Sequence, residues 1–308
     1  MVKLPEQLVF LKNSKAVQKH SDESMDGKLC VISGATSGVG YEAVKALAAK
    51  GANIVMVVRN ENKAKAVKEE VEKEYKVFVD YYIADFSNLK QVEDAAMAIL
   101  DKYPKIDVLI NSAGIHLTKR ILNQDGFEMV FCVNHLATFL LTKLLLNRMI
   151  ESSPSRIIQV NSEGHRFNGL NVNDLNWEKR IYTGLRSYGA SKTAQLLTVW
   201  QLAEDLKSTG VTINAMHPGG VRTNIGNNNG RLYRWFLHNV IWHFLKDPKI
   251  SGEAVFYLAS SNELSKISGK FFNLTIEEKP AKHALNMKNQ KIILQLSMEM
   301  TGLEKKDV

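Results

Sequence analysis

Short apolar runs alternate with longer amphipathic ones from Lys28 to near the end of the chain. The short runs are rich in β-branched residues and predict strands, whereas apolar positions three and four apart in the long runs predict helices. This alternation predicts a parallel sheet covered on both faces, and right-handed crossovers make the sheet doubly wound. The predicted strands are CVIS, NIVMVV, VFVDYYI, IDVLIN, RIIQVN and VTINAM, and a seventh lies near KFFNL.

Amphipathic runs supply the helices between these strands. The pattern therefore predicts an α/β, doubly wound Rossmann-type fold with a seven-stranded, mostly parallel sheet in a single domain. In such sheets ligands bind beyond the carboxyl ends of the strands, and nearly every polar candidate residue follows such an end. The predicted helices cover about Tyr41–Lys50, Glu61–Lys76, Leu89–Lys102, Phe127–Met149 and Ala190–Lys207.

Two segments depart from this alternation. Residues 1–27 predict an N-terminal extension ahead of a domain over 28–308, and residues 222–249 predict an excursion that begins with the Asn- and Gly-rich stretch IGNNNG. We expect the excursion to form a substrate lid; core packing, a dimer contact and a helix on a membrane surface are the alternatives. Its large apolar residues are Trp235, Phe236, Ile241, Trp242 and Phe244. Basic residues that suit lipid headgroups flank it at Arg231, Arg234, Lys246 and Lys249.

Size and cysteine content narrow the class of protein. A chain of 308 residues with 45% hydrophobic content can bury one large core. The cysteines, Cys30 and Cys132, lack metal-ligand spacing, and we expect buried thiols in a reducing compartment. The apolar patch from Leu8 to Leu11 is too short for a signal peptide or a membrane span. A cytoplasmic location is therefore expected.

The chain is basic, with a formal net charge of +8 and a pI near 9.2. Such a charge suits an anionic ligand, a nucleic acid or an acidic membrane surface. The lysines, however, are spread over amphipathic segments such as ENKAKAVKEEVEKEYK, which is typical of a solvated helix face. Because no nucleic-acid-binding motif accompanies them, no nucleic-acid partner is predicted.

A glycine-rich turn follows the first predicted strand. Gly34, Gly38 and Gly40 give the spacing G-x-x-x-G-x-G directly before a helix. Glycine lets the backbone turn tightly and approach a pyrophosphate, whose charge is favoured at a helix N-terminus. The turn predicts a dinucleotide site, and an ordinary strand-to-helix turn is the alternative.

The second strand ends in VVRN, where NAD-dependent enzymes place an acid for the ribose 2′-hydroxyl. Here the position holds Arg59, whose guanidinium matches a 2′-phosphate. The sequence therefore predicts NADP(H) rather than NAD(H), with help from Lys63. The alternative is that Arg59 is an ordinary solvated residue.

Polar and small residues also follow the next two strands. Asp85, after the third strand, could accept a hydrogen bond from the adenine amino group or could cap the helix that begins near Ser87. Asn111, Ala113 and Gly114 end the fourth strand, where small side chains permit a close approach to ribose.

The candidate catalytic residues lie near the fifth strand. Tyr188 and Lys192 are four residues apart, so on a helix they share a face. The ammonium would then lower the pKa of the phenol, and Ser162, at the end of the strand, would supply a hydroxyl. A second pair with the same spacing, Tyr41 and Lys45, lies inside the first helix, where packing or solvent exposure is expected.

Together these motifs resemble the short-chain dehydrogenase/reductase family, and within it the retinol dehydrogenase-like branch. The resemblance runs from about Lys28 to Leu303 and departs from the usual pattern at Ser112 and Asn161, where the family usually has asparagine and the branch often has serine. Neither difference removes a reacting group. The matching motifs are SGATSGVG, VVRN, NSAG, FCVNHLATFLLT, IIQVNS, YGASK, HPGGVRT and SGKFFNLTIEEKP, with the tail to MTGL.

The resemblance implies roles for individual residues. Tyr188 and Lys192 would be catalytic and would also contact the cofactor, Lys192 at the nicotinamide ribose. Ser162 would be their partner, and Asn134 would hold a water in a proton relay. Residues of the loop HPGGVRT would contact the nicotinamide and its phosphates; they are Pro218, Gly219, Val221 and Thr223. The predicted cofactor-binding set also includes Ser37, Val39, Asn60 and Phe86.

The implied activity is hydride transfer between NADP(H) and a lipophilic carbonyl or alcohol. A homodimer that pairs through the helices near Phe127 and Ala190 is a further expectation. A peripheral membrane contact is another. Two other classes remain open. One is an NADPH-binding regulatory protein without significant catalysis, against which the complete catalytic set argues. The other is epimerisation or dehydration, for which no extra acid or base is evident. His217 and His243 lack metal-like companions and are expected to be structural.

Overall fold

A single eight-stranded sheet forms the centre of the computed structural model, which describes residues 16–222, 225–226, 229–230 and 245–305. The strand order is β3-β2-β1-β4-β5-β6-β7-β8, and all neighbours are parallel except β7 and β8. The strands are β1 (Leu29–Ser33), β2 (Asn53–Val58), β3 (Val79–Ile83), β4 (Val108–Asn111), β5 (Ser155–Val160), β6 (Val211–His217), β7 (Phe271–Asn273) and β8 (Ile276–Glu277).

This architecture confirms the predicted α/β doubly wound fold, but the predicted count of seven strands was one short. The additional strand, β8, has only two residues. A segment of that length cannot display the alternation by which a strand is recognised in sequence.

Helices cover both faces of the sheet. The α-helices are α1 (Gly38–Ala48), α2 (Glu61–Tyr75), α3 (Leu89–Lys102), α4 (Met129–Phe131), α5 (Ala137–Glu151), α6 (Gly184–Asp205), α7 (Lys249–Ser260) and α8 (Met287–Thr301). A π-helix over Cys132–Leu136 joins α4 to α5. Short 3₁₀ helices cover Glu163–Arg166, Asn262–Leu264, Lys282–Leu285 and Leu303–Lys305.

The two faces of the sheet carry separate hydrophobic clusters. On β1, Val31 packs with α3, α5 and α6, whereas Cys30 and Ile32 pack with α1, α2 and α7. Strands buried on both faces read as continuous apolar runs rather than alternating ones, which explains sequences such as NIVMVV. Cys30 and Cys132 are buried free thiols, as predicted.

One helical stretch within the described residues, Met129–Glu151, is long and apolar enough by composition to cross a membrane. In the fold, however, 89% of its apolar window is buried. The stretch packs against α3 on one side and contacts α6 and α8 on others. Its apolar character is therefore explained by its place in the core.

Helix α6 begins at Gly184, six residues before the predicted start at Ala190. Thr183 caps it, accepting a 3.3 Å hydrogen bond from the Arg186 amide. A Cβ on Gly184 would collide with the Leu117 carbonyl, so packing against the loop after β4 requires glycine there. The earlier start places Tyr188 and Lys192 within one continuous helix.

The described part of the N-terminal extension lies against the late strands. The Lys19 amide donates to Thr275 Oγ1 at 2.8 Å, and Lys19 Nζ pairs with Glu263 at 2.5 Å. Met25 is buried. The large aromatic and apolar residues of the predicted lid, together with Thr223, Arg231, Arg234 and His243, lie outside the described residues.

Candidate active site

The carboxyl ends of β1, β4, β5 and β6 lie side by side at one edge of the sheet. Between β1 and β4 the strand order reverses direction, because β2 and β3 follow on one side of β1 and β5 and β6 on the other. Ligands of doubly wound sheets bind in the crevice at such a point. The loops after β1 and β4 therefore frame the candidate cofactor site.

These two loops are in direct backbone contact. Gly34 has φ +68°, and a Cβ there would lie 2.8 Å from the Ala113 Cα. Ser33 Oγ accepts hydrogen bonds of 3.1 Å from the amides of Ser112 and Ala113. A Cβ on Gly40 would in turn collide with the Gly34 carbonyl. The glycines thus create a cradle that any side chain would fill.

The N-terminus of α1 opens into this cradle. Its N-cap, Ser37, makes no side-chain cap hydrogen bond, and Gly38 has φ +57°. Amides of a first helical turn lack partners within the helix and favour an anion. Val39 packs into the core beneath them. The arrangement fits the pyrophosphate of a dinucleotide.

The end of β2 presents the residues predicted to select the cofactor. Arg59 is exposed, and none of the described residues bonds to its guanidinium. Lys63 is also exposed, one turn into α2. Asn60 is the N-cap of α2, and its Oδ1 accepts a 3.0 Å hydrogen bond from the Lys63 amide. The two cations are thus free to meet a phosphate, while Asn60 fixes the helix that carries Lys63.

After β3, Asp85 closes a short turn. Its Oδ1 accepts from both the amide and the hydroxyl of Ser87 at 2.8 Å. Helix α3 begins at Leu89 and is capped by Asn88, so the alternative that Asp85 caps this helix is wrong. Phe86 is buried in the core.

The residues after β4 divide between core and site. Asn111 is fully buried and its Nδ2 donates to Thr142 Oγ1 at 2.7 Å, which directs its side chain toward α5. Gly114 lies at the surface of the site instead. A Cβ there would be 3.4 Å from Asn134 Oδ1 and 3.9 Å from Lys192 Nζ.

Ser162 and Tyr188 meet at the end of β5. A hydrogen bond from Ser162 acts on the Tyr188 phenol, and Ser162 Oγ also accepts from the Gly164 amide at 3.0 Å. Lys192 is buried; its Nζ donates to the Val160 carbonyl at 3.0 Å and lies 5.7 Å from the centroid of the Tyr188 ring. The structure therefore brings together the three residues that the sequence predicted.

The protonation balance of this group differs from the expectation. Burial raises the pKa of Tyr188 above its ordinary value, and the hydrogen bond from Ser162 only partly opposes that shift. Burial also lowers the pKa of Lys192 to about 7. The prediction that Lys192 would bring a net lowering of the pKa of Tyr188 is therefore wrong for this state, because loss of hydration dominates at both groups.

Asn134 lies in the π-helix, a helix type found often at functional sites. Its Oδ1 accepts from the Ile115 amide at 2.7 Å, and its Nδ2 donates to the Ile115 carbonyl at 3.1 Å and to Ser191 Oγ at 3.0 Å. The side chain thus anchors the loop after β4 to the helix of Tyr188.

The loop after β6 borders the other side of the site. Pro218 accepts a 2.6 Å hydrogen bond from Ser251 Oγ through its carbonyl. Gly219 has φ +84°, and Val221 is buried and forms an isolated bridge with Lys246.

Sequence reasoning missed two residues beside the site. His116 follows the loop after β4, and its ring lies next to Tyr188. Glu128 is fully buried, accepts from the Val130 and Phe131 amides, and also accepts from Ser187 Oγ at 3.2 Å. No local motif marks either residue; the assembled fold places His116 beside Tyr188 and Glu128 beside Ser187, the residue before it.

The competing pair, Tyr41 and Lys45, lies on α1 away from these groups. The Tyr41 hydroxyl donates to Glu70 Oε1 at 2.5 Å, and Lys45 Nζ lies 5.3 Å from the Tyr41 ring centroid. Tyr41 thus joins α1 to α2.

Comparison with known proteins places the chain among dehydrogenases. A family model described as short chain dehydrogenase matches residues 28–232. Retinol dehydrogenase 13 of Homo sapiens is 34% identical over 289 residues, covering 92% of this chain and 87% of that protein. Retinol dehydrogenase 14 of Homo sapiens is 34% identical over 297 residues, covering 91% and 88%.

Solved structures share the fold. An uncharacterized protein from Mycobacterium Paratuberculosis has a TM-score of 0.75 and 28% identity, covering 93% of this chain and 98% of that one. A short chain dehydrogenase from Shigella flexneri 2a str. 301, complexed with NADP, has a TM-score of 0.67 and 22% identity, covering 82% and 99%. The latter similarity shows the fold alone.

Proposed function

Because the chain belongs to the short-chain dehydrogenase family, and is therefore an oxidoreductase of alcohol and carbonyl groups, we propose that it interconverts a lipophilic carbonyl compound and its alcohol with NADP(H). The observation that carries the proposal is the convergence of Ser162, Tyr188 and Lys192 at the end of β5, beside the glycine cradle.

The residues divide the chemistry among themselves. A bound nicotinamide supplies the hydride in reduction and accepts it in oxidation. Tyr188 gives its phenolic proton to the carbonyl oxygen in reduction and removes the alcohol proton in oxidation. Ser162 donates to the same oxygen, an interaction that strengthens as negative charge develops there. In its protonated form Lys192 stabilises the phenolate, and Asn134 holds the neighbouring loop in place.

The preference for NADP(H) is part of the proposal. Arg59 and Lys63 are exposed at the end of β2 and the start of α2, beside the edge that would receive the adenosine ribose. Two cations there favour a 2′-phosphate through charge-assisted hydrogen bonds. The strand-end position itself holds Arg59 rather than an acid, and the nearby Glu61 pairs with Lys65 at 2.8 Å.

A lipophilic substrate is supported by the relatives, which carry the name retinol dehydrogenase. Retinoids and similar aldehydes are therefore the first compounds to test. We also propose a cytoplasmic protein that touches membranes peripherally, where such compounds partition; the basic residues that flank the excursion in the sequence suit an anionic surface. Sedimentation with anionic and with neutral vesicles would test this, and equal binding to both would contradict a charge-driven contact.

The test of activity follows NADPH consumption with a panel of lipophilic aldehydes, ketones and quinones, with NADH run alongside. Tyr188→Phe should keep cofactor binding and lose turnover by about 10²- to 10⁴-fold, the usual contribution of general acid–base catalysis. Tyr41→Phe is the matched control, because it removes the hydroxyl of the other Tyr-x-x-x-Lys pair, and it should retain activity.

The outcomes separate the alternatives. Turnover that prefers NADPH and disappears in Tyr188→Phe supports the proposal. NADPH binding without turnover of any substrate would contradict it and favour the regulatory protein. Near-normal turnover by Tyr188→Phe would remove the tyrosine from the mechanism.

A further inference from the structure

Two consecutive residues at the end of β5 hold Lys192 at both ends. The Val160 carbonyl accepts from Lys192 Nζ at 3.0 Å, and Asn161 Nδ2 donates to the Lys192 carbonyl at 2.9 Å. Ser162 follows directly and bonds to Tyr188. The strand end thus fixes the lysine by its side chain and by its backbone.

The Asn161 carboxamide also reaches a second residue of α6. Its Nδ2 donates to Gln195 Oε1 at 3.0 Å, and Gln195 Nε2 donates to the Asn134 carbonyl. Asn161 and Gln195 are 2% and 1% exposed. Both hydrogens of Asn161 Nδ2 therefore have acceptors, and this pairing sets the orientation of both amides.

The chain of bonds ends in the π-helix. Its irregular hydrogen-bond pattern leaves backbone carbonyls in need of other donors, and the Asn134 carbonyl accepts from Thr138 Oγ1 at 2.8 Å as well as from Gln195. We name the linked set of Asn161 and Gln195 the amide clamp. It connects Lys192 on α6 to Asn134 in the π-helix through buried side chains alone.

We propose that the amide clamp positions the acid–base group, by holding Lys192 and Asn134 at fixed distances from Tyr188. The inference rests on the proposed function. Neither amide touches the phenol or the lysine ammonium in the described structure, so both are positioning residues. The Coulomb energy between Lys192 and Tyr188 depends on their separation, and small movements of Lys192 therefore change the acidity of the phenol.

The variants replace each amide by an apolar side chain of similar size. Asn161→Leu removes both donors to α6, and Gln195→Met removes the link to Asn134. A cavity of about 10 Å³ lined by Gln195, Thr198 and His135 adjoins the clamp. Because alanine would enlarge this cavity to admit water as a substitute donor, the larger residues give the sharper test. Asn161→Ser is a milder variant that keeps a hydroxyl.

For each variant and the natural chain, kcat and KM of alcohol oxidation are measured as a function of pH. NADPH binding is followed by fluorescence, and stability by thermal unfolding. We expect kcat to fall by roughly 10- to 100-fold, as for misplaced catalytic groups. The rising limb of the kcat profile should move by about one pH unit, since displacing Lys192 changes the electrostatic surroundings of the Tyr188 phenol. KM and NADPH binding should change little. Asn161→Ser should lie between these variants and the natural chain.

Thr198→Val is the control. Thr198 is buried on α6 beside Gln195, but its hydroxyl donates only to carbonyls of its own helix, those of Ala194 and Gln195. It should lower thermal stability without moving the pH profile. If the clamp variants unfold earlier yet keep the kcat and pH profile of the natural chain, the amide clamp is structural only and the inference fails. If the natural chain turns over no substrate, the proposed function fails, and the inference with it.

Discussion

The imidazole of His116 stands edge-on to the ring of Tyr188, with ring centroids 5.7 Å apart and planes at 74°. Two hydrogen bonds hold the backbone of His116. Its amide donates to the Ile225 carbonyl at 3.1 Å, and the His116 carbonyl accepts from Asn229 Nδ2 at 2.9 Å. Burial lowers the pKa of His116 below its ordinary value. A neutral, half-buried ring therefore forms one wall beside the proposed catalytic phenol.

His116→Ala should weaken substrate selection. Removing the ring opens space beside Tyr188, and we expect kcat/KM for the best carbonyl substrate to fall by roughly tenfold, as for other single groups in binding pockets. NADPH binding should be unchanged, and His20→Ala, at an exposed position of the extension, should have no effect. Because His116 is neutral at pH 7, a pH profile with an ionisation near its ordinary pKa that vanishes in the variant would contradict this account.

Gly164→Ala should disturb the tyrosine itself. A Cβ at Gly164 would lie 2.8 Å from Tyr188 Cε1, so the phenol must move. We expect kcat to fall by up to about 100-fold while NADPH binding persists. Gly169→Ala is the control on the same segment, since its Cβ would meet His283 at 3.4 Å, an ordinary contact. Equal losses in both variants would point to a general effect on folding.

Arg59→Asp should reverse the cofactor preference. Loss of a charge-assisted hydrogen bond, worth about 1.5–3 kcal/mol, predicts a fall in NADPH affinity of roughly 10- to 100-fold. NADH should gain relative to NADPH, because the carboxylate can accept from a ribose hydroxyl. Lys63→Ala should have a smaller effect, and Lys65→Ala, on α2, none. Unchanged kinetics with NADPH would remove Arg59 from the cofactor site.

A buried cluster of charged side chains begins at the residue that follows Ser162 in the chain. Arg166 is bonded to both Glu163 and Glu278, and all three side chains are almost completely buried. Two carboxylates thus share one guanidinium, which leaves an excess negative charge when both are ionised. Burial raises the pKa of Glu163 to about 7.

This shift predicts a dependence of stability on pH. The folded state holds the Glu163 proton more tightly than the unfolded chain does. The contribution of this proton to the free energy of unfolding is therefore fully present below pH 4.5 and is lost as pH rises toward about 7. In the natural chain this proton makes the free energy of unfolding fall between these pH values by an amount on the order of a few kcal/mol. In Glu163→Gln that fall should be absent. Urea titrations of both proteins at several pH values measure the difference, and parallel curves would refute it.

Periodicity and motif position predicted the fold and the meeting of Ser162, Tyr188 and Lys192, because a parallel sheet brings its strand ends to one edge. They did not predict the start of α6, which is set by packing of Gly184 against the loop after β4. The ion pair of Arg166 with Glu278 joins positions 112 residues apart. Such pairings depend on the assembled fold, and no local pattern encodes them.

The continuity of α6 has a consequence for how this scaffold can diversify. One helix, bonded to the end of β5, carries Tyr188, Lys192 and Gln195. The spacing of these residues therefore does not depend on the loop over residues 167–183. Substitutions at the exposed positions of that loop can therefore leave the reacting groups in place. The geometry of the reacting groups is therefore insulated from change in this connection.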